Sequence, residues 1–482
     1  MAVSSSLANS KTRSAFAVPA GILLAGMGFF WLLYIISPRF MQDHFVMLGV
    51  VVGLVVYMAT LADCRLGLIA VIMAIGVSPE FKIMGIPNFR LEDFLIPVVV
   101  VSWATRLVDR KSALKEFPLR QPLIAVIVTW MISLVYGMVI NDGGGLKSFL
   151  YFAKYLEYFL LMILVHQNLN NEEEIHITAM VMIIVSLLVG AQGFGGVLLS
   201  DASPGSENFI QGPEGETRNV LGGYLVFHVL LCFGIALFYK DLRWRILMVL
   251  VIIFLGIPIS MTFSRTSYIA LFGAMGIFLM IKRRVLILPF FVMMVFLPAL
   301  VSDPVRDRAS TILEIFGDRP PSSWVVRVES WQSAFQIYFL SSPLFGFGPG
   351  YLVPGQVDNE YMFILVNSGL LGLGALLWLL ARIFQVLLRI LDYADSLEPF
   401  SRAFALGYMA GFFGCLIHAI SAPTLTAIRT AEMFYLATGI LLAVYSAGPG
   451  AAGGSGGEGR SHGWIAASVP SPVRRREPFF PL

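Results

Sequence analysis

The chain has 482 residues, of which 57% are hydrophobic and only 13% are charged, and its mean hydropathy is +0.80. A soluble domain carries about twice that share of charged residues, so the composition excludes an ordinary soluble protein and indicates an integral membrane protein. The formal net charge of +3 is small and the basic residues are dispersed, which argues against a nucleic-acid partner.

Fourteen apolar segments are long enough to cross a bilayer of about 30 Å. They begin near residues 16, 45, 66, 91, 121, 149, 175, 219, 245, 265, 285, 361, 403 and 430. We therefore predict an all-α polytopic membrane protein with 12 to 14 transmembrane helices in residues 1–446. The remaining segment, residues 447–482, is rich in Gly, Ser and Pro and is predicted to be a disordered tail.

The basic residues predict the orientation of these helices. When fourteen spans are threaded, five basic stretches fall on one side: SKTR, RLVDRKSALKEFPLR, KDLRWR, IKRR and PVRRR. By the positive-inside rule this side is the cytoplasm, so both termini are predicted to be cytoplasmic.

Two longer loops then lie on the opposite side, at about 200–219 and at 302–360. Within the longer loop Arg327 and Trp331 share one face of a predicted amphipathic helix. The cations of this loop are all arginines, and arginine matches phosphate oxygens with two parallel hydrogen bonds. The loop therefore indicates a phosphorylated ligand; its arginines are Arg306, Arg308, Arg319 and Arg327.

Four charged residues lie inside or at the edge of predicted spans, where charge is costly. Lys154 and Glu157 share a helical face, and they form either an internal ion pair or the lining of a polar substrate groove. Arg265 lies where a span emerges opposite the basic loops, which favours a role in anion binding or in organising a site. Arg218 lies at a predicted helix start, where backbone N–H groups also favour an anion, and a simple surface charge is the alternative interpretation.

The stretch VDNEYMFILVNSGLLGLG places Asp358, Asn359 and Glu360 directly before an apolar helix. Two acids separated by one residue are a weak metal signal, and we predict no metal and no cofactor. Asp358 and Asn359 are also favoured helix N-caps, so a purely structural role stays open for both.

These motifs resemble those of the O-antigen ligase and O-antigen polymerase superfamily of bacterial inner-membrane enzymes. Ligases of this superfamily carry His, then Asn, nine residues, Gly, two residues and a small residue where a long periplasmic loop re-enters the membrane. Here Asp358 and Asn359 are followed by nine residues, Gly369, two leucines and Gly372. The spacing matches, but Asp358 replaces the His. The other matching pieces are SRTSYIAL, the run from Arg327, RLEDFLIP and YFAKYLEYFLL.

The resemblance implies a GT-C-like fold and inverting, metal-independent glycosyl transfer on the periplasmic face. The donor is expected to be a glycan on undecaprenyl diphosphate, and Arg218, Arg265 and Arg327 are expected to stabilise the departing lipid diphosphate. Asp358 takes the position of the proton-accepting His, and Glu360 is the alternative base.

Asn359, Trp331 and Tyr361 are candidates to contact sugar, as are Lys154 and Glu157 if they line a groove. For the two aromatic residues the competing interpretation is ordinary anchoring at the membrane interface.

The Asp-Asn form resembles the branch that polymerises capsule and exopolysaccharide repeat units. We therefore predict a polysaccharide polymerase whose partners are a lipid-linked donor, a glycan acceptor and membrane lipid, with chain-length regulators or export proteins as further partners. Two alternatives stay open. One is a ligase or O-oligosaccharyltransferase that moves the glycan to lipid A core or protein, and the other is a membrane transporter.

Overall fold

The structure is a computed structural model. It describes residues 53, 55–78, 90–110, 114–140, 145–198, 206, 209–213, 216–300, 302–312, 314, 321–352 and 356–448. The predicted span near residue 16, most of the span near 45, and the tail beyond residue 448 lie outside the described residues.

Within these ranges every regular element is helical. The first seven helices are α1 (Cys64–Val77), α2 (Leu91–Arg110), α3 (Arg120–Ile140), α4 (Gly145–Asn168), α5 (Glu172–Leu198), α6 (Arg218–Phe238) and α7 (Leu242–Met261). The next seven are α8 (Arg265–Lys282), α9 (Ile287–Leu300), α10 (Asp303–Ser310), α11 (Ser322–Ser333), α12 (Glu360–Asp392), α13 (Pro399–His418) and α14 (Ile428–Ala447).

Nine helices of the described chain are long and apolar enough to cross a membrane, namely α3 to α8 and α12 to α14. Two shorter apolar helices, Cys64–Val77 and Arg284–Phe296, coincide with the predicted spans near 66 and 285. This agrees with the predicted polytopic membrane protein, while the total of 12 to 14 spans stays a prediction.

The helices begin where the sequence offers a cap or a fixed backbone angle. Asp241 caps α7 and Ser264 caps α8, each accepting a hydrogen bond from a backbone N–H of the first turn. Pro399 opens α13, where its missing N–H costs nothing. Between these ends the spans are almost uniformly apolar, so their packing decides which side faces the protein interior.

The centre of the bundle is formed by α6 and α13, which pack most extensively on each other, with α14 packed on α4. A Cβ atom built on Gly234 would lie 2.2 Å from the Cα atom of Gly407, so the two backbones are in direct contact. The outer helices leave apolar side chains exposed, as Ile246, Leu250 and Ile253 do on α7. Such a surface fits a lipid environment.

Several helix ends meet on one face of the bundle, which we call the site face: the starts of α8, α12 and α14 and the ends of α1 and α13. Hydrogen bonds that join them run from Arg429 Nε to Ile75 O (2.7 Å), from Glu360 N–H to Ala419 O (2.9 Å) and between the Thr266 and Ser421 hydroxyls (2.6 Å). The site face therefore gathers residues that are far apart in sequence.

Candidate functional site on the site face

Arg265 begins α8 and ties this helix to the segments that follow α9. Its Nε donates to Thr311 Oγ1 at 2.7 Å and its Nη1 donates to Ser323 Oγ at 3.0 Å. The Arg265 side chain is buried, yet no carboxylate of the described residues lies within salt-bridge distance of it. Among the described residues its hydrogen-bond partners are neutral hydroxyl groups, so its positive charge can act on an anionic ligand.

Arg327 on α11 forms an ion pair with Asp358. Arg327 Nε donates to Asp358 Oδ2 at 3.0 Å, and the two side chains are 19% and 33% exposed. This partial exposure leaves the pair within reach of a ligand. The Nη1 and Nη2 groups of Arg327, which form the fork of the guanidinium, make no hydrogen bond to another described residue.

Asn359, and not Asp358, caps α12. The backbone of Asn359 is extended, and its Oδ1 accepts a hydrogen bond from Met362 N–H at 2.9 Å. The sequence left open whether Asp358 serves only as a cap. Because Asn359 fills that position, the Asp358 carboxylate is directed to Arg327 instead.

Glu360 is completely buried. Its Oε2 accepts hydrogen bonds from the backbone N–H groups of Thr424 (2.6 Å) and Leu425 (3.2 Å), in the loop between α13 and α14. These contacts favour a structural role that fixes this loop, whereas its role as alternative base stays a prediction.

We expect the Glu360→Gln variant to keep most of the wild-type transferase activity. The Gln oxygen still accepts from Thr424 and Leu425, so exchanging charged for neutral hydrogen bonds lowers the free energy of unfolding by about 1 kcal/mol. Thermal unfolding of the purified variant measures the loss of stability, and the initial rate of glycan transfer measures the activity. A rate about 100-fold lower in a stable variant would show instead that Glu360 is the base.

Arg218 begins α6, as the sequence predicted, and its Nη1 donates to Ser206 O at 3.4 Å. Two residues earlier, Glu216 is held by two buried arginines. Arg90 Nη2 lies 3.1 Å from Glu216 Oε1, and Arg429 Nη1 lies 3.0 Å from Glu216 Oε2. These two ion pairs fix the segment that leads into Arg218. The pair between Glu216 and Arg429 also joins the start of α6 to the site face.

Arg308 on α10 is an arginine of the site that the sequence analysis did not single out. Its Nε donates to Phe263 O at 3.1 Å, directly before α8. Burial lowers the pKa of the Arg308 guanidinium, and the positive charges of Arg265, Arg218 and Arg327 lower it further. The charges of three other arginines therefore act on Arg308. The available signal was the all-arginine composition of the 302–360 loop.

Lys154 and Glu157 lie in a separate buried charge cluster. Lys154 Nζ contacts Asp93, Glu157 (3.1 Å) and Glu432 (3.0 Å). Of the two interpretations that the sequence left open, the ion pair is thus present. Asp93 and Glu157 also line a cavity of about 470 Å³ whose other lining residues are apolar. The groove interpretation therefore stays a prediction.

The aromatic candidates lie beside these elements. Trp331 packs edge-on against Trp324, with ring centroids 5.5 Å apart, and its indole N–H is buried without an acceptor among the described residues. The Tyr361 hydroxyl donates to Leu416 O at 3.0 Å. This hydrogen bond attaches α12 to α13, and sugar binding by Trp331 and Tyr361 stays a prediction.

Gly369 lies at a break in α12. Its φ of +66° and ψ of −172° are not helical, and this region of backbone conformation is open essentially to glycine alone. Residues 343–348 fill the break. The hydrogen bonds run from Leu370 N–H to Pro343 O (2.9 Å), from Phe347 N–H to Val366 O (3.0 Å) and from Gly348 N–H to Asn367 O (2.8 Å).

The sequence analysis attached the spacing from Asn359 to Gly369 to a family motif. The structure supplies a physical reason for this spacing: Asn359 caps α12, and Gly369 lies at the break in that helix. Gly372 lies one turn beyond, where an added Cβ atom would approach Trp130 to 3.1 Å.

A family model described as O-antigen ligase matches residues 250–379. This segment is therefore similar to O-antigen ligases. It contains Arg265, Arg308, Arg327 and the motif from Asp358 to Gly372, whereas Arg218 and Lys154 lie outside it. None of the curated proteins compared with the chain matches it.

The O-antigen ligase match confirms the superfamily that the motifs indicated, and it supports glycosyl transfer of the ligase or polymerase type. It does not distinguish ligases from polymerases. Together with the nine apolar helices of the described residues, the match points to a multi-pass membrane protein.

Proposed function

We propose that the protein is a polysaccharide polymerase that joins undecaprenyl-diphosphate-linked oligosaccharide repeat units. One observation carries the proposal: Arg327 pairs with the Asp358 carboxylate at the start of α12, and the charges of Arg327, Arg265 and Arg218 all act on Arg308. Guanidinium groups bind diphosphate oxygens, and a nearby carboxylate accepts a proton. The O-antigen ligase match supports this class of reaction.

In the proposed reaction the acceptor hydroxyl attacks the anomeric carbon of the donor sugar from the face opposite the diphosphate. The new bond joins the acceptor oxygen to that carbon, and the bond from the carbon to the phosphate oxygen breaks. The bonding electrons stay on the diphosphate, and the hydroxyl proton moves to the Asp358 carboxylate. Inversion at the anomeric carbon follows from this geometry.

Arg218, Arg265 and Arg327 are proposed to stabilise the charge that develops on the departing diphosphate. Arg327 uses Nε for Asp358, so Nη1 and Nη2 remain for phosphate oxygens. The same guanidinium would then hold the base and the leaving group in one arrangement. Metal independence is part of the proposal.

Trp331 and Tyr361 are proposed to contact the sugars from α11 and α12, and Asn359 is proposed to do so beside the base. Lys154 and Glu157 are proposed to contribute through the cavity that Glu157 lines. We place the protein in the bacterial inner membrane with both termini in the cytoplasm and the site face in the periplasm. The distribution of basic loops supports this orientation.

Polymerase is preferred over ligase because Asp358 stands where ligases of the superfamily carry His. The ligase function is the second candidate, because the matching family is described by that name. Both use the same donor, so the acceptor distinguishes them.

The test uses the purified protein in lipid vesicles with undecaprenyl-diphosphate-linked repeat units as the only substrate. A polymerase yields a ladder of longer lipid-linked chains. Addition of lipid A core then leaves the ladder unchanged. If no ladder forms and glycan appears on lipid A core, the ligase function replaces our proposal.

A further inference from the structure

Two arginines interlock the start of α8 with the end of α10. Arg308 Nε donates to Phe263 O, and Arg265 Nε donates to Thr311 Oγ1. The Thr311 hydroxyl in turn donates to the carbonyl oxygen of Arg308 at 2.7 Å. Both guanidinium groups therefore lie between the same two short segments of chain.

The backbone at this junction is strained. Phe263 has a φ of +49° and is the one non-glycine residue with positive φ in the described chain. Such a conformation costs about 1 to 3 kcal/mol and persists where the surroundings enforce it. Here the contact with Arg308 holds the strained carbonyl oxygen in place.

Nε is the only Arg308 side-chain nitrogen in a hydrogen bond to a described residue, so Nη1 and Nη2 have no such partner. No carboxylate of the described residues lies within salt-bridge distance of Arg308 either. Arg306, two residues earlier on α10, differs: it is exposed and forms an ion pair with Asp303. A half-buried guanidinium beside three like charges is costly unless an anion joins it.

We propose that Arg308 is a fourth diphosphate-binding arginine of this site, and that it acts mainly on the released lipid diphosphate. This inference rests on the proposed function. A diphosphate linked at both ends carries about two negative charges, and loss of the glycosyl group adds up to about one more. Arg308 adds one positive charge to those of Arg218, Arg265 and Arg327. Its contribution therefore grows as the bond to the sugar breaks.

The experiment measures binding of geranyl diphosphate, a short soluble stand-in for the product, to the purified protein in lipid nanodiscs by calorimetry. Geranyl monophosphate is the matched ligand. We expect Arg308→Lys and Arg308→Gln each to weaken geranyl diphosphate binding about tenfold. In the same variants, the affinity for geranyl monophosphate should change by a smaller factor than the affinity for geranyl diphosphate. Arg306→Gln, on the same helix, should leave both affinities unchanged.

The Arg308→Lys variant separates binding from support of the backbone, because lysine still donates one hydrogen bond to Phe263 O but lacks the fork. Unchanged diphosphate affinity in a folded Arg308→Lys variant would overturn the inference and leave the proposed function intact. Failure of the wild-type protein to bind geranyl diphosphate would overturn both. A melting temperature close to that of the wild type confirms that each variant is folded.

Discussion

We expect the Asp358→Asn variant to fold normally and to lose about 100- to 10,000-fold in turnover, the range typical for removal of a general base. Asn has the size of Asp and still accepts the hydrogen bond from Arg327 Nε, so the contact between α11 and α12 survives. The substitution removes the carboxylate that is proposed to take the proton from the acceptor hydroxyl. Initial rates of chain extension from purified lipid-linked repeat units measure the effect.

The described part of the 302–360 loop offers a matched control in a second Asp–Arg ion pair, that of Asp303 and Arg306, which is more exposed. The Asp303→Asn variant should extend chains at the wild-type rate. If the folded Asp358→Asn variant polymerises normally, Asp358 is not the base.

The largest expected effect on stability is that of Gly369→Ala. The backbone of Gly369 lies in a region that costs other residues about 1 to 3 kcal/mol. An added Cβ atom would also lie 2.2 Å from Leu344 O, and relieving such a clash costs about 1 to 3 kcal/mol more. We therefore expect loss of about 3 kcal/mol or more of folding free energy, a lower melting temperature and less protein in the membrane.

Gly374, on the same helix, is the control. It is exposed and helical, and a Cβ atom added there meets no other atom within 4 Å. Gly374→Ala should be neutral or slightly stabilising, because alanine favours a helix by up to about 1 kcal/mol over glycine. Equal melting temperatures for the two variants would show that the break at Gly369 does not need glycine.

Much of the fold could be predicted because its signals are local. Long apolar segments predict membrane helices without any information about their neighbours in the fold. Twelve of the predicted spans coincide with α1 to α9 and α12 to α14. The start of α6 at Arg218 and the start of α8 at Arg265 also agree with the prediction. The amphipathic pattern after residue 322 corresponds to α11 and to the π-helical turn that follows it, Ala334–Tyr338.

The partners of the site residues could not be predicted in the same way. Arg327 pairs with Asp358 across 31 positions of sequence, and Glu216 contacts Arg429 across more than 200. Helical periodicity describes which residues share a face of one helix, and it contains no information about the neighbouring helix. The use of Asn359 as the cap follows from the direction that the chain takes into α12.

By itself, the amino-acid sequence determined that this is a polytopic helical membrane protein, and its motifs indicated the superfamily to which residues 250–379 match. Only the tertiary structure decided that Asp358 faces Arg327, that Glu360 is enclosed, that Arg308 joins the other arginines and that α12 breaks at Gly369. The physical reason is that hydropathy and capping are properties of neighbouring residues. Charge pairing, burial and backbone strain arise when distant segments pack, as residues 343–348 do against the break in α12.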